Sequence, residues 1–174
     1  MQSIKFRKVL IANRGEIALR VLRSLEAFGI QSVAIYHELD KLSPIVSQAD
    51  EAVEIKGETP SAAYLDIAQI VQICKTLEVD AVHPCYGFLS ENTEFAQALE
   101  AANITFIGPT AEVIELMGDK IASRNFVEQQ GFPVPPSVHL DIDDPSFMDA
   151  LADMTFPVVV KASAGGGGKG MSIV

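Results

Sequence analysis

At 174 residues the chain has room for one good core or two small ones. Its 48% hydrophobic and 21% charged residues are those of an ordinary globular protein, and no apolar run nears the roughly 18 to 20 residues of a membrane span. A formal charge of −10 leaves no basic stripe to displace counterions, which argues against general nucleic-acid binding and means that any anionic ligand must be met by local positive charge.

The N-terminus passes straight into a strand without a signal-peptide profile, so the expected location is the cytoplasm; the mitochondrial matrix is the alternative for a eukaryotic chain, although no transit peptide is seen. Lys8-Val-Leu-Ile-Ala12 is a short apolar run of the kind buried on both faces of a sheet. Asn13-Arg-Gly-Glu16 follows as a turn. Ile17, Ala18, Val21, Leu22, Leu25 and Phe28 then recur at helical spacing and stop at Gly29. Gln31–Tyr36 is a second strand, so the chain opens as a right-handed β-α-β unit. Its first turn carries only Gly15 and no Gly-x-Gly-x-x-Gly, which leaves a dinucleotide site unsupported.

Residues 37–50 are polar, contain Pro44 and read as a loop, whereas Glu51–Ile55 alternates like a strand. Asp66 is placed to cap a helix with an apolar stripe of Ile67, Ile70, Val71, Cys74 and Leu77. Ala81–His83 reads as a strand running into a loop, Pro84–Asn92, with Ser90 as the expected cap of the next helix. That helix runs through Phe95, Ala98 and Leu99, and the strand Ile104–Ile107 follows. Strands alternating with helices predict a mainly parallel sheet covered on both faces.

Gly108-Pro109 breaks this rhythm and sets the expected boundary between a domain over residues 1–110 and a second over 111–174. Two short helices, about Ala111–Met117 and about Lys120–Gln130, precede a stiff connector with Pro133, Pro135 and Pro136. Asp144-Pro145 then opens a helix through Phe147 and Leu151, with Met154 as its candidate last member. After Pro157 comes a β-branched strand ending at Lys161, the glycines Gly165, Gly166, Gly167 and Gly168, and a second apolar run from Met171.

Consecutive glycines call for close backbone approach or positive φ. A phosphate supplies such a reason, because backbone N–H groups can converge on its oxygens with Lys161 and Lys169 adding charge. A flexible hairpin tip is the plainer alternative. The stretch is not a Walker loop, since Lys169 is followed by Gly170 and Ser163 stands where the first glycine belongs. Nor is Ser163 in a nucleophile elbow, because Lys161 takes the place of that motif's first glycine. Cys74 and Cys85 form no Cys-x-x-Cys pair, and His37, His83 and His139 share no metal-ligand spacing, so neither a disulfide nor a metal site is expected.

Six stretches, in order and at matching spacing, resemble the N-terminal part of biotin carboxylases, the ATP-grasp component of biotin-dependent carboxylases. They are Ile11–Ala18, Ala49–Ala52, His83–Asn92, Phe106–Pro109, Met117–Lys120 and Val160–Met171. The resemblance implies an α/β fold: a Rossmann-like, mainly parallel pre-ATP-grasp domain followed by the truncated start of an α+β ATP-grasp domain. It also implies that ATP with Mg2+ activates bicarbonate as carboxyphosphate, that biotin on a carrier domain receives the carboxyl group, and that a carboxyltransferase uses it in an acyl-CoA or pyruvate carboxylase. By position, Lys120 and Lys161 resemble the lysines that contact ATP phosphates, Gly165–Gly168 the flap over the triphosphate, and Met171 an adenine-pocket residue. Tyr86 and Glu91 would face the biotin side, against the alternative of a structural turn with Tyr86 packed. Arg20 and Arg23 lie on a helix whose counterpart is near a homodimer interface; a solvated helix face is their alternative.

Cys85 stands where the family pattern has glycine, and residues 40–50 match only loosely. The resemblance puts the magnesium carboxylates, the bicarbonate-binding arginine and the base downstream of Val174, so no catalytic residue is expected in this chain and the polypeptide alone is expected to be inactive. Two further readings stand beside this one. One is another ATP-grasp ligase, such as a carbamoyl-phosphate synthetase. The other is a non-catalytic fragment that acts in assembly or dimerisation.

Overall fold

The structure is a computed structural model of the chain and describes residues 6–138, 145–146, 149, 152, 154–161 and 171–174. Two compact units divide between Glu115 and Leu116. In the first, β1 (Lys8–Ile11), β2 (Gln31–Tyr36), β3 (Glu51–Glu54), β4 (Ala81–His83) and β5 (Thr105–Phe106) form one sheet in the order β3-β2-β1-β4-β5. Every pairing is parallel. The expected strands are present, though the last pairs over only two residues.

Alternation along β1 explains why its run is apolar throughout. Leu10 and Ala12 join Val33, Ile35 and Val82 on one face, while Val9 and Ile11 join Ala34 and Ala81 on the other. The helix α1 (Gly15–Ala27) covers the second face with Ala18, Val21, Leu22 and Leu25. Two short helices missing from the sequence reading complete the cover, α2 (Pro44–Gln48) and α3 (Pro60–Tyr64). Ile45 of α2 fills the α1 side, and Ala63 and Tyr64 of α3 fill the other. Both helices have proline in the first turn, where its missing N–H costs nothing. In α2 that proline is the same Pro44 that made residues 37–50 read as loop.

On the α3 side lie α4 (Ile67–Thr76), capped by Asp66 as expected, and α5 (Thr93–Ala101). The cap of α5 is Asn92, whose side chain accepts from Phe95 N at 2.7 Å, and not Ser90. Phe28 also departs from expectation. It lies past the last turn of α1 and is 78% exposed, because Gly29 at φ +67° reverses the chain there. The helix α6 (Ala111–Gly118) packs Ala111 and Ile114 on Ala96 and Phe106.

Charged groups tie the N-terminal edge of the sheet. Asp80 accepts from the backbone N–H groups of Arg7 at 2.8 Å and Lys8 at 2.9 Å, joining the start of β1 to the start of β4. Partial burial raises the Asp80 carboxyl's pKa, but those two N–H groups and the Arg7 guanidinium outweigh it and hold it below the usual value. A depressed carboxylate stabilises the fold above its unfolded pKa and loses that contribution as pH falls through its folded pKa. Resistance to urea is therefore expected to fall below about pH 4, with a smaller loss for Asp80→Asn, which has no charge to lose.

In the second unit α7 (Lys120–Gln129) is capped by Asp119, which accepts from Ile121 N and Ala122 N at 2.8 and 2.9 Å. β6 (Val159–Lys161) and β7 (Met171–Ile173) form an antiparallel ribbon. The β-branched apolar composition of β6 is that of a buried strand. The strand is exposed throughout, Val159 by 51% and Val160 by 55%, since the two-stranded ribbon covers neither of its own faces. Gly165–Gly168, the Asp144 cap, Phe147 and Leu151 lie outside the described residues. No helix among the described residues is long and apolar enough to cross a membrane.

Candidate functional site

A parallel sheet of this order reverses its winding between β1 and β4, and ligands of open α/β sheets collect at that point, beyond the strand C-termini. Here the crevice is occupied by the chain itself. Asn13, directly after the buried run of β1 and 3% exposed, donates through Nδ2 to Pro84 O at 2.9 Å and Tyr86 O at 2.8 Å. Its Oδ1 accepts from Arg14 N at 2.9 Å. Both N–H donors of the amide hold the loop after β4 against the turn after β1, an arrangement that, like the missing glycines, gives no support to a dinucleotide site.

That loop has an unusual backbone. Cys85, Gly87 and Phe88 all have left-handed φ, at +61°, +69° and +42°. Each non-glycine residue there costs about 1–2 kcal/mol, so the surroundings must impose the conformation. Asn13 does so through two carbonyls, and Cys85 N adds a 3.0 Å bond to His83 Nδ1. Cys85 thus occupies a backbone conformation that suits the glycine it replaces. Burial pushes its thiol up to about 12, as it does that of Cys74, so neither is a thiolate nucleophile. Burial lowers the pKa of His83, which keeps its imidazole neutral with Nδ1 as acceptor.

Tyr86 is 60% exposed, so the packed-turn alternative does not describe its ring. Its hydroxyl donates to Oε1 of Glu16 in the first turn of α1. Glu91, on the same loop, is exposed. Next to Asn13 in the chain, Arg14 pairs with Asp40 and lies 5.8 Å from the Tyr64 ring centre. Tyr64 donates to Asp40 Oδ2 at 3.2 Å and stacks on Phe88 at 5.1 Å. Burial, followed by the Asp40 charge, raises the pKa of the Tyr64 phenol and keeps it protonated. The sequence reading assigned no role to Asn13, Arg14, Glu16, Asp40 or Tyr64. The available signal was a polar pair, Asn13-Arg14, placed immediately after a fully apolar strand.

Arg20 and Arg23 are exposed on α1, where Arg20 Nη1 donates to Ser24 Oγ at 2.6 Å. Lys120 is exposed at the first position of α7, a place where the helix dipole disfavours a cation.

The ribbon brings two expected residues together. Lys161 and Met171 are directly opposed across β6 and β7. Val158 and Val174 exchange both backbone bonds, at 2.8 and 2.9 Å. Counting from that pair makes Lys161 and Met171 a non-hydrogen-bonded pair, the kind with the closer side chains, about 4.5–5.5 Å between Cβ atoms. They share a face with Val159 and Ile173. An ammonium at the end of an apolar strip suits an anionic group attached to a flat apolar one. No group of three His, Cys, Asp or Glu side chains that could hold a metal exists among the described residues.

Residues 5–114 match the family model described as "Biotin carboxylase, N-terminal domain", and residues 119–174 match "Carbamoyl-phosphate synthase L chain, ATP binding domain". The biotin carboxylase of Halalkalibacterium halodurans is 48% identical over 97% of this chain and 38% of its own length. The biotin carboxylase domain dimer of Hydrogenobacter thermophilus 2-oxoglutarate carboxylase, solved with MgADP, ADP and bicarbonate, is 46% identical with a TM-score of 0.90, over 97% of this chain and 37% of that one. The biotin carboxylase of Campylobacter jejuni, solved as a complex with β-γ-ATP, is 37% identical with a TM-score of 0.92, over 100% and 39%. This chain therefore spans little more than a third of each.

Proposed function

The chain belongs to the biotin carboxylase family, and from that premise we propose that it supplies the first third of an enzyme that uses MgATP and bicarbonate to carboxylate biotin on a carrier domain. A carboxyltransferase would then pass the carboxyl group to an acyl-CoA or a keto acid. The observation that carries this reading is 46% identity at a TM-score of 0.90 to a domain solved with MgADP and bicarbonate. The proposed division is a pre-ATP-grasp domain over residues 1–110 and the start of an ATP-grasp domain over 111–174, with α6 as the joining helix.

In this proposal Lys161 and Lys120 hold ATP phosphates, with Gly165–Gly168 over them, and Met171 lies against the base. Fixed positive charge beside a phosphoryl group positions it and stabilises the charge that develops in transfer. Bound Mg2+ would neutralise the phosphate oxygens; no described residues form a group fit to hold it. Tyr86 and Glu91 face the biotin, and Arg20 and Arg23 contribute to a homodimer contact.

The test is a coupled assay of ADP release with the purified 174-residue chain. No bicarbonate- and biotin-dependent turnover is expected from it, whereas a complete carboxylase carrying the segment is expected to turn over. Turnover by the short chain alone would overturn the proposed division of labour. The match of residues 119–174 keeps a carbamoyl-phosphate synthase as the second reading. Ammonia-dependent, biotin-independent ADP release by the complete enzyme would favour it.

A further inference from the structure

The turn after β1 does two separate things to the loop after β4. Asn13 fixes its backbone through Pro84 O and Tyr86 O, and Glu16 accepts a hydrogen bond from the Tyr86 hydroxyl. A phenol has one proton and two lone pairs. With the proton directed at a carboxylate, the outward capacity of the Tyr86 oxygen is acceptor only. The ring is 60% exposed, so those lone pairs are reachable, and a ligand meeting them has to bring an N–H or O–H donor.

We propose that Glu16 is a positioning residue that fixes the Tyr86 rotamer and the direction of its proton, so that the phenol oxygen accepts from a ureido N–H of the carboxyl acceptor. The proposal rests on the reading that Tyr86 faces biotin, whose fused ring is a cyclic urea with N–H donors. A phenol free to rotate would present its proton to the urea as often as its lone pairs. The Glu16 carboxylate removes that ambiguity before the acceptor arrives, which is preorganisation supplied by a residue that itself touches no substrate.

Two measurements separate the pairing from the functional reading. The chain has three tyrosines, Tyr36, Tyr64 and Tyr86. The bond to Glu16 raises the Tyr86 phenol above its ordinary value. In the 174-residue chain, Glu16→Ala is therefore expected to move one phenolate transition, followed by its ultraviolet absorbance, to lower pH, and Tyr86→Phe is expected to abolish that transition. In a complete carboxylase carrying the segment, Glu16→Ala is expected to raise KM for free biotin about five- to tenfold, the worth of one hydrogen bond. The KM for ATP should stay within about twofold. Glu16→Gln, which keeps a carbonyl acceptor, should restore the biotin KM to within about twofold. Tyr86→Phe should match Glu16→Ala, and the double variant should be no worse than either single one, as expected of two residues acting through one contact.

An unmoved phenolate transition overturns the pairing itself. A moved transition with an unmoved biotin KM leaves the pairing intact but overturns the placing of Tyr86 beside the acceptor, and with it the role proposed for Glu16. Additive effects on the biotin KM, or an equal rise in the ATP KM, also overturn it, since they mark a general structural defect.

Discussion

Asn13→Ala is expected to lower the unfolding free energy of the first unit by about 3 kcal/mol, which corresponds to a drop in melting temperature of roughly 10 to 15 °C. The amide makes three bonds, to Pro84 O, Tyr86 O and Arg14 N, in a place 3% exposed to solvent. Truncation strands two carbonyls and one N–H at about 1 kcal/mol or more each. It also releases the restraint on a loop with three left-handed residues, two of them not glycine. Asn13→Asp is expected to be at least as damaging, because it turns carboxylate oxygens towards two carbonyls. Differential scanning calorimetry reads both. A loss below about 1 kcal/mol for Asn13→Ala would mean that the Pro84–Asn92 loop is held by something other than this side chain.

The second large effect is on ATP. In a complete carboxylase carrying this segment, Lys161→Met is expected to lower kcat/KM for ATP about a hundredfold. A charged hydrogen bond contributes roughly 1.5–3 kcal/mol, and each 1.4 kcal/mol is a factor of ten. Stability should stay within about 0.5 kcal/mol, since Lys161 is exposed on a strand that is exposed along its length. Methionine keeps the reach of the side chain and the pairing with Met171, so a loss on this scale belongs to the charge. Lys161→Arg should retain part of the activity, as arginine keeps the charge but not the point geometry. A change of less than about threefold for Lys161→Met would remove Lys161 from the phosphate site.

How much of this could be read beforehand varied along the chain. Buried strands announce themselves, because a strand covered on both faces has no polar positions to spare, and Val9, Leu10 and Ile11 are each fully buried. The strand order followed less directly, since parallel crossovers leave no local mark of which neighbour a strand chooses. Short helices were harder. Five-residue segments such as α2 and α3 have too few turns for a 3.6-residue period to register, and they fold because Ile45 and Tyr64 find a sheet to cover. Exposure of β6 could not be inferred from its composition, because burial is set by what lies across the strand. The position of Cys85 was legible as a departure from a glycine pattern, but the reason that glycine suits the site, a φ of +61°, belongs to the folded backbone. The roles of Asn13 and Glu16 were hidden for a different cause: each acts on a residue about seventy positions away.

That separation matters for anyone recombining segments among related carboxylases. A graft of His83–Asn92 into another scaffold would carry the Tyr86 ring but leave behind both of its anchors, which reside in Asn13–Glu16. The transferable module is discontinuous, a tetrapeptide from the first crossover plus a decapeptide from the fourth strand's exit, and the two inherit their geometry only together.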